Sequence, residues 1–299
     1  MTNINRTRAM FTDFLNLPRG KYVPPEMAAG GTIGFARGAF AVSYDRDLVT
    51  VPGVDYFNGV PDMELVLDAE RRKGWQAGTE VALGDLHAHD APFGLCARGA
   101  LKRAVADWGA LGYAPMIGLE TEAFIFQRDA DGIWRPYDTP GAFVYNTGPE
   151  GDPKGVMDDI WEAAYAADIP IESMNGEFDN GQFELTMKFD HAVKACDDAF
   201  LMRTMAREVA LKKGLLLTFM PKPVPDRGGS GLHVNFSFND QDGNNAIAPN
   251  GGLSDLAKHC VAGLVEHHPA LAGMLATTVN SYDRLNPGGF AGYWANWDE

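Results

Sequence analysis

Cysteine and positive charge are scarce in this chain, and no long apolar run occurs. The three cysteines, Cys96, Cys196 and Cys260, are odd in number and far apart, a pattern with neither a disulfide framework nor zinc-ligand spacing. Cys196 and Cys260 fall within helical patterns and read as small buried thiols. Lysine and arginine total 25 against 40 aspartates and glutamates, a formal net charge of -15. With no basic field to steer them in, neither a nucleic acid nor an anionic membrane is expected as a partner. Anionic substrates would need bound cations to supply the missing positive charge. No stretch approaches the roughly 20 apolar residues of a membrane span, and no signal peptide precedes Asn3-Ile4-Asn5-Arg6. The expected setting is cytoplasmic.

The chain has 299 residues, 45% of them hydrophobic. That is enough for a sizeable core, and two domains are expected. Residues 1–92 are rich in Gly, Pro and short strand-like runs. Phe40-Ala41-Val42-Ser43 and Leu48-Val49-Thr50-Val51 flank the turn Tyr44–Asp47 as a hairpin, and Glu80–Leu83 reads as a strand. Polar Gly84–Pro92 reads as a linker. From Arg98 the spacing of Leu101, Val105 and Trp108 predicts a helix ending at Gly112. Pro115–Phe126 alternates as a strand, which puts Glu120 and Glu122 on one face. Asp159–Asp168 reads as a helix with Ile160, Ala164 and Ala167 on one side. Phe183–Met187 is a second alternating strand, with Gln182, Glu184 and Thr186 on one face. Asp190 is expected to cap a long helix to Lys213, stopped by Gly214, and Leu215–Phe219 to form a buried strand. Leu232, Val234, Phe236 and Phe238 form the apolar face of a further strand and leave His233, Asn235 and Ser237 on its polar face. Ser254 caps a last helix through Leu264.

Three of these segments carry matching chemistry: Gly118-Leu119-Glu120-Thr121-Glu122, Glu177 through Glu184, and Gly228-Gly229-Ser230-Gly231-Leu232-His233. Each alone has an ordinary explanation. Glu-x-Glu can be a solvated strand face, a single histidine is usually hydrogen-bonded structure, and a glycine cluster is usually a turn. Together they place four glutamates and one imidazole on strand-like stretches beside a glycine-rich turn. Hard divalent cations take oxygen ligands with an occasional nitrogen, and phosphates take backbone N–H groups of small residues. The combination points to metal-assisted phosphate chemistry.

Order and spacing resemble the glutamine synthetase family. The matching motifs are Glu120/Glu122, then Glu177 with Glu184 in Gly181-Gln182-Phe183-Glu184, then Lys222-Pro223, Ser230-Gly231-Leu232-His233, and Asn280-Ser281-Tyr282-Asp283-Arg284-Leu285-Asn286-Pro287-Gly288. Arg19-Gly20-Lys21, Pro61-Asp62-Met63 and Pro92-Phe93 extend the likeness over essentially the whole chain. The resemblance implies an α+β fold, with a β-grasp-like N-terminal domain over 1–92 and a catalytic domain of curved antiparallel sheet with outer helices over 93–299. It implies that Glu122, Glu177 and Glu184 hold one Mg²⁺ or Mn²⁺ and that Glu120 and His233 hold a second. ATP would lie beside Ser237 and Asn235. Glutamate would be held by Gly229 and by Arg284, whose planar fork fits a carboxylate and which is also the implied catalytic residue. The implied reaction is ATP-dependent ligation of an amine to the glutamate γ-carboxylate through γ-glutamyl phosphate, in a homo-oligomeric double ring with active sites between subunits.

The sequence departs from that family in three places. Gly34–Phe40 lacks the Asp that binds ammonium in ammonia-using members, and Phe290 stands six residues after Arg284, where those members carry a Glu. An alkylamine presents carbon that prefers apolar walls, so a small alkylamine such as methylamine is expected as the co-substrate. Ammonia, as in glutamine synthetase itself, is the alternative. The third departure is that the chain ends at Trp297-Asp298-Glu299, before further family arginines and a Glu for the second metal. It is therefore expected to be incomplete at its C-terminal end and to show little ligase activity alone. A non-catalytic nitrogen-sensing homologue would not need all five metal-type residues. A two-metal hydrolase would call for more His or Asp, yet His87-Ala88-His89 falls in the linker and His267-His268 at a helix end before Pro269.

Overall fold

The computed structural model describes residues 4–52, 54, 59–286 and 291. They divide into two units, Met1–Asp107 with Ala164–Ile169, and Trp108–Ala163 with Pro170–Glu299.

In the first unit the elements are β1 (Arg6–Thr12), β2 (Pro18–Val23), α1 (Pro25–Ala29), β3 (Thr32–Ala36), β4 (Asp62–Leu67), β5 (Arg72–Lys73), β6 (Thr79–Ala88), β7 (Ala91–Pro92) and most of α2 (Ala97–Ala110). The sheet runs β2-β1-β6-β4-β3, with β5 and β7 also on β6. β1 and β6 are parallel, and the other pairs are antiparallel. Along β4 the period of two sends Met63, Leu65 and Leu67 inward. They meet Phe11, Ile33, Phe40 and Leu86 in one core. Phe40 stacks on Phe11 at 6.3 Å and takes Phe93 edge-on at 5.4 Å. Each such side chain, fully buried, contributes about 1.5–3 kcal/mol.

Two sequence expectations fail in this unit. Gly84–Pro92 is not a linker, because Gly84–Ala88 continues central strand β6, and β7 returns along it. Of the polar residues that suggested a linker, Asp85 is held by ion pairs. The Asp85 carboxylate receives Arg98 at 2.8 Å and Lys102 besides. A Cβ on Gly84 would run into the Val66 carbonyl oxygen, so this glycine serves close strand packing rather than a loop. The hairpin around Tyr44–Asp47 shrinks to one bridge, Val42 to Leu48, because Arg37–Phe40 winds into a 3₁₀ turn that buries Phe40.

The second unit contains β8 (Ala114–Arg128), β9 (Trp134–Pro136), α3 (Val156–Ala166, which ends in the first unit), β10 (Ile171–Gly176), β11 (Gln182–Met187), β12 (Asp190–His191), α4 (Ala192–Lys212), β13 (Leu216–Thr218), β14 (Leu232–Asn239), α5 (Asp255–Leu275) and α6 (Val279–Arg284). The architecture is α+β with a curled sheet. Long β8 is its axis and pairs with β9, β11, β12, β13 and β14, while β10 lies beyond β11. Thr121, Ala123 and Leu185 are almost fully buried, and α4, with Met202, Met205 and Ala206 equally buried, packs on this sheet. The odd and even positions of β8 thus serve different faces: Thr121 and Ala123 face the core, and Glu120 and Glu122 face away from it.

Local signals are obeyed unevenly here. Ser254 caps α5, its Oγ accepting from Ala257 N at 3.2 Å, and Gly214 ends α4 at φ 71°. Asp190 does not cap α4. It sits in β12, and His191 holds the cap position without a side-chain bond, while Asp190 pairs with Lys194 at 2.9 Å. Pro269 lies inside α5 rather than at a helix end. On β14, Phe238 is buried, but Leu232, Val234 and Phe236 are 54%, 49% and 40% exposed. Among the described residues β14 pairs with β8 alone, apart from a bridge from Asn239 to Asn245.

Candidate active site

Strand register brings the acidic residues together. Glu184 on β11 lies directly opposite Glu122 on β8, and Glu120 lies between Thr186 on β11 and His233 on β14. Directly opposed residues carry their Cβ atoms about 4.5–5.5 Å apart, and like charges so placed repel. Glu177 follows β10, and its N–H donates to the Gln182 carbonyl at 2.9 Å. Burial pushes the Glu177 carboxyl above its ordinary value, and the charges of Glu122 and Glu184 push it further. These three acids therefore share one electrostatic environment.

The second group is already paired. Glu120 Oε2 lies 3.2 Å from His233 Nδ1, and Glu120 Oε1 accepts from Asn235 Nδ2 at 2.7 Å. His233 Nε2 stands 4.0 Å from Glu122 Oε1, which links the two groups. Ser237 lies on the same face of β14, opposite Met116 and farther from the acids.

The glycine turn closes over this row. Glu122 Oε2 accepts from Gly231 N at 2.9 Å and from Gln182 Nε2 at 3.1 Å. Gly228 N donates to Asp179 Oδ2, and Ser230 N to the Pro221 carbonyl at 2.8 Å. A side chain at either Gly229 or Gly231 would force its neighbours to shift. A Cβ on Gly231 would stand 2.8 Å from Glu122 Oε1 and 2.9 Å from His233 Nε2, and one on Gly229 would stand 2.7 Å from Arg284 Cγ. Arg284 reaches the turn from α6, which is started by a Thr278–Ser281 capping box. Asn280 on the same helix clamps both backbone groups of Lys222, and Lys222 Nζ donates to the Arg227 carbonyl. Among the described residues, Arg284 Nε and Ser230 Oγ are buried with no hydrogen-bond partner.

The residues fit the groups expected from their chemistry. Oxygen donors with one imidazole suit a hard divalent cation, and the mutual repulsion at Glu177 is what a cation would relieve. A buried guanidinium donor and a hydroxyl without partners suit a carboxylate. Among the described residues the acids stand as neighbours, not as an already closed cage of three metal ligands. Phe290 lies outside the described residues. Sequence reasoning gave no role to Asp179, Gln182 or Asn280. Gln182 could have been found from its place on the Glu184 face of β11. The other two act through the backbone of segments distant in sequence.

A curled sheet with a row of glutamates under a glycine turn defines a class, and the comparisons name it. The glutamine synthetase catalytic domain matches residues 94–299, and the chain belongs to the glutamine synthetase family. It is 29% identical to the glutamine synthetase of Pyrococcus woesei over 99% of this chain and 65% of that one. It is 31% identical to the glutamate–methylamine ligase of Methyloversatilis universalis over 93% of this chain and 63% of that one. The ligand-free structure of GmaS superposes with a TM-score of 0.82 at 29% identity, over 95% of this chain and 66% of that one. The chain thus spans about 65% of the length of the glutamine synthetase it matches. Among the described residues no helix is long and apolar enough to cross a membrane.

Proposed function

We propose that this chain serves an ATP-dependent ligase that joins the glutamate γ-carboxylate to a small alkylamine such as methylamine. The observation that carries the reading is the Glu122–Glu184 pair, whose charges reach Glu177, beneath a turn that Arg284 reaches. Glu122, Glu177 and Glu184 would hold one Mg²⁺ or Mn²⁺, and Glu120 with His233 a second. Such ions neutralise charge on a transferring phosphoryl group. Arg284 and the Gly229 backbone would hold glutamate, and Ser237 and Asn235 would lie toward ATP. The γ-carboxylate would take the terminal phosphoryl group of ATP and release ADP; the neutral amine would then attack the acyl carbon, and phosphate and a proton would leave as the amide forms.

The alkylamine reading is supported by Phe290 and by the absence of a carboxylate in Gly34–Phe40, and by the likeness to a glutamate–methylamine ligase. In this reading 1–92 is the N-terminal domain and 93–299 the catalytic one, and subunits assemble as a ring that shares its sites. Phosphate release by the whole protein, compared across methylamine, ethylamine, putrescine and ammonium, tests it. Turnover with ammonium equal to or above every alkylamine would leave ammonia as the substrate. No amine-dependent release would sink the ligase reading.

A further inference from the structure

Gln182 is 3% exposed, and both N–H groups of its carboxamide are engaged, one on Glu122 of β8 and one at the glycine turn. Nε2 donates to Glu122 Oε2 at 3.1 Å and to the Gly229 carbonyl at 3.0 Å, while Oε1 accepts from Asp179 N at 3.2 Å. The side chain therefore ties three separate segments: β8, the turn after Glu177, and the glycine turn. Each partner is itself committed to the site. Asp179 receives Gly228 N, and the Glu122 oxygen that Gln182 touches also receives Gly231 N. Both bonds fall on Oε2, so Glu122 is held in one orientation while its Oε1 stays turned toward His233.

We propose that Gln182 is a positioning residue: its carboxamide fixes the Glu122 carboxylate against the Gly229 carbonyl and so sets how tightly the Glu122 group takes a divalent cation. The proposal rests on the metal reading of Glu122 given above. A carboxylate without such support rotates freely, and its side-chain entropy must be lost when the ion binds. Partners that orient a ligand are worth about 10–100-fold in metal affinity. Met has the length of Gln and no donor, so Gln182→Met removes the bonds while keeping the volume.

The experiment is Mn²⁺ titration of the apo protein, followed by calorimetry and by the electron paramagnetic resonance of free Mn²⁺, beside hydrogen exchange. Gln182→Met is expected to bind Mn²⁺ about 10–100-fold more weakly. It should also speed exchange of the Gly231 amide, which Gln182 does not touch, while strand amides in β8 and β11 keep their protection. Unchanged Mn²⁺ affinity overturns the proposal. So does a general loss of protection with no selective change at Gly231, which marks a merely structural role. If Gln182→Met does not fold, Gln182→Asn, one methylene too short to span both partners, takes its place. It should show intermediate weakening, and wild-type affinity there overturns the proposal equally. A wild-type protein that binds no Mn²⁺ overturns the metal reading instead, and the Gly231 exchange still decides the positioning role.

Discussion

The Asn280 side chain reads both backbone groups of Lys222: Oδ1 accepts from Lys222 N at 2.8 Å, and Nδ2 donates to Lys222 O at 2.9 Å. Two motifs 58 residues apart are thereby locked in one place. The neighbouring Pro221 carbonyl receives Ser230 N, so the clamp extends to the glycine turn.

Removing the clamp in Asn280→Ala leaves two part-buried backbone groups without partners, at a cost of about 1–3 kcal/mol. The urea midpoint should fall. Glutamate affinity measured by calorimetry should fall about tenfold, since 1.4 kcal/mol is a factor of ten. Full glutamate affinity in a folded variant would show that α6 does not set Arg284.

Glu177 gives a test with two signs. Its carboxyl is pushed up by burial and then by Glu122 and Glu184. A group whose folded value is raised contributes stability below its unfolded pKa and loses it as pH rises through the folded value. Apo protein should therefore lose stability over that rise, and Glu177→Gln should remove that slope and raise the apo melting temperature at neutral pH. The same variant should bind Mn²⁺ more weakly. A lower apo melting temperature at neutral pH would contradict the repulsion described above.

Asp85 behaves oppositely. Burial raises its pKa, but hydrogen bonds and charges from Lys102 and Arg98 outweigh burial and hold it below the ordinary value. The stabilisation is complete above the unfolded Asp value of about 3.9 and is lost as pH falls through the folded one. Asp85→Asn should lower the melting temperature at pH near 7 and flatten the acid limb of its pH profile. An acid limb identical to wild type would show that this ion pair contributes nothing.

Burial pushes the Cys196 thiol up to about 11, and the Asp197 charge adds to it. The thiolate is the reactive form, so native Cys196 should resist maleimide near pH 8 and label on denaturation. Cys196 and Cys260 are partly buried rather than buried as their helical spacing suggested, and Cys96 is the buried thiol; mass spectrometry of the labelled peptide reads Cys196 directly, and rapid native labelling would contradict its shielding.

The strand faces were legible in the sequence because side chains alternate with a period of two, whatever the strand pairs with. Glu120 and Glu122, Gln182 and Glu184, and His233 and Asn235 all came out on the faces their spacing implied. Which strands meet was not legible from periodicity: His233 falls opposite Glu120 across 113 residues, and only the ordered motifs hinted at it. Gly84–Ala88 was misread because ion pairing lets a central strand carry Asp85, so polarity imitated a linker. Asp190 carried the chemistry of a cap, but in β12 it pairs with Ile117 of β8, which places it one position too early.

His233 rides on a strand held by β8 on one side, with its other edge unpaired for most of its length among the described residues. Such an edge opens more cheaply than the sheet interior. A ligand bridging Glu120 and His233 would sew that edge down, and by linkage its binding energy becomes local stability. Fraying of β14, rather than melting of the whole sheet, is then the motion most sensitive to occupancy of this end of the site.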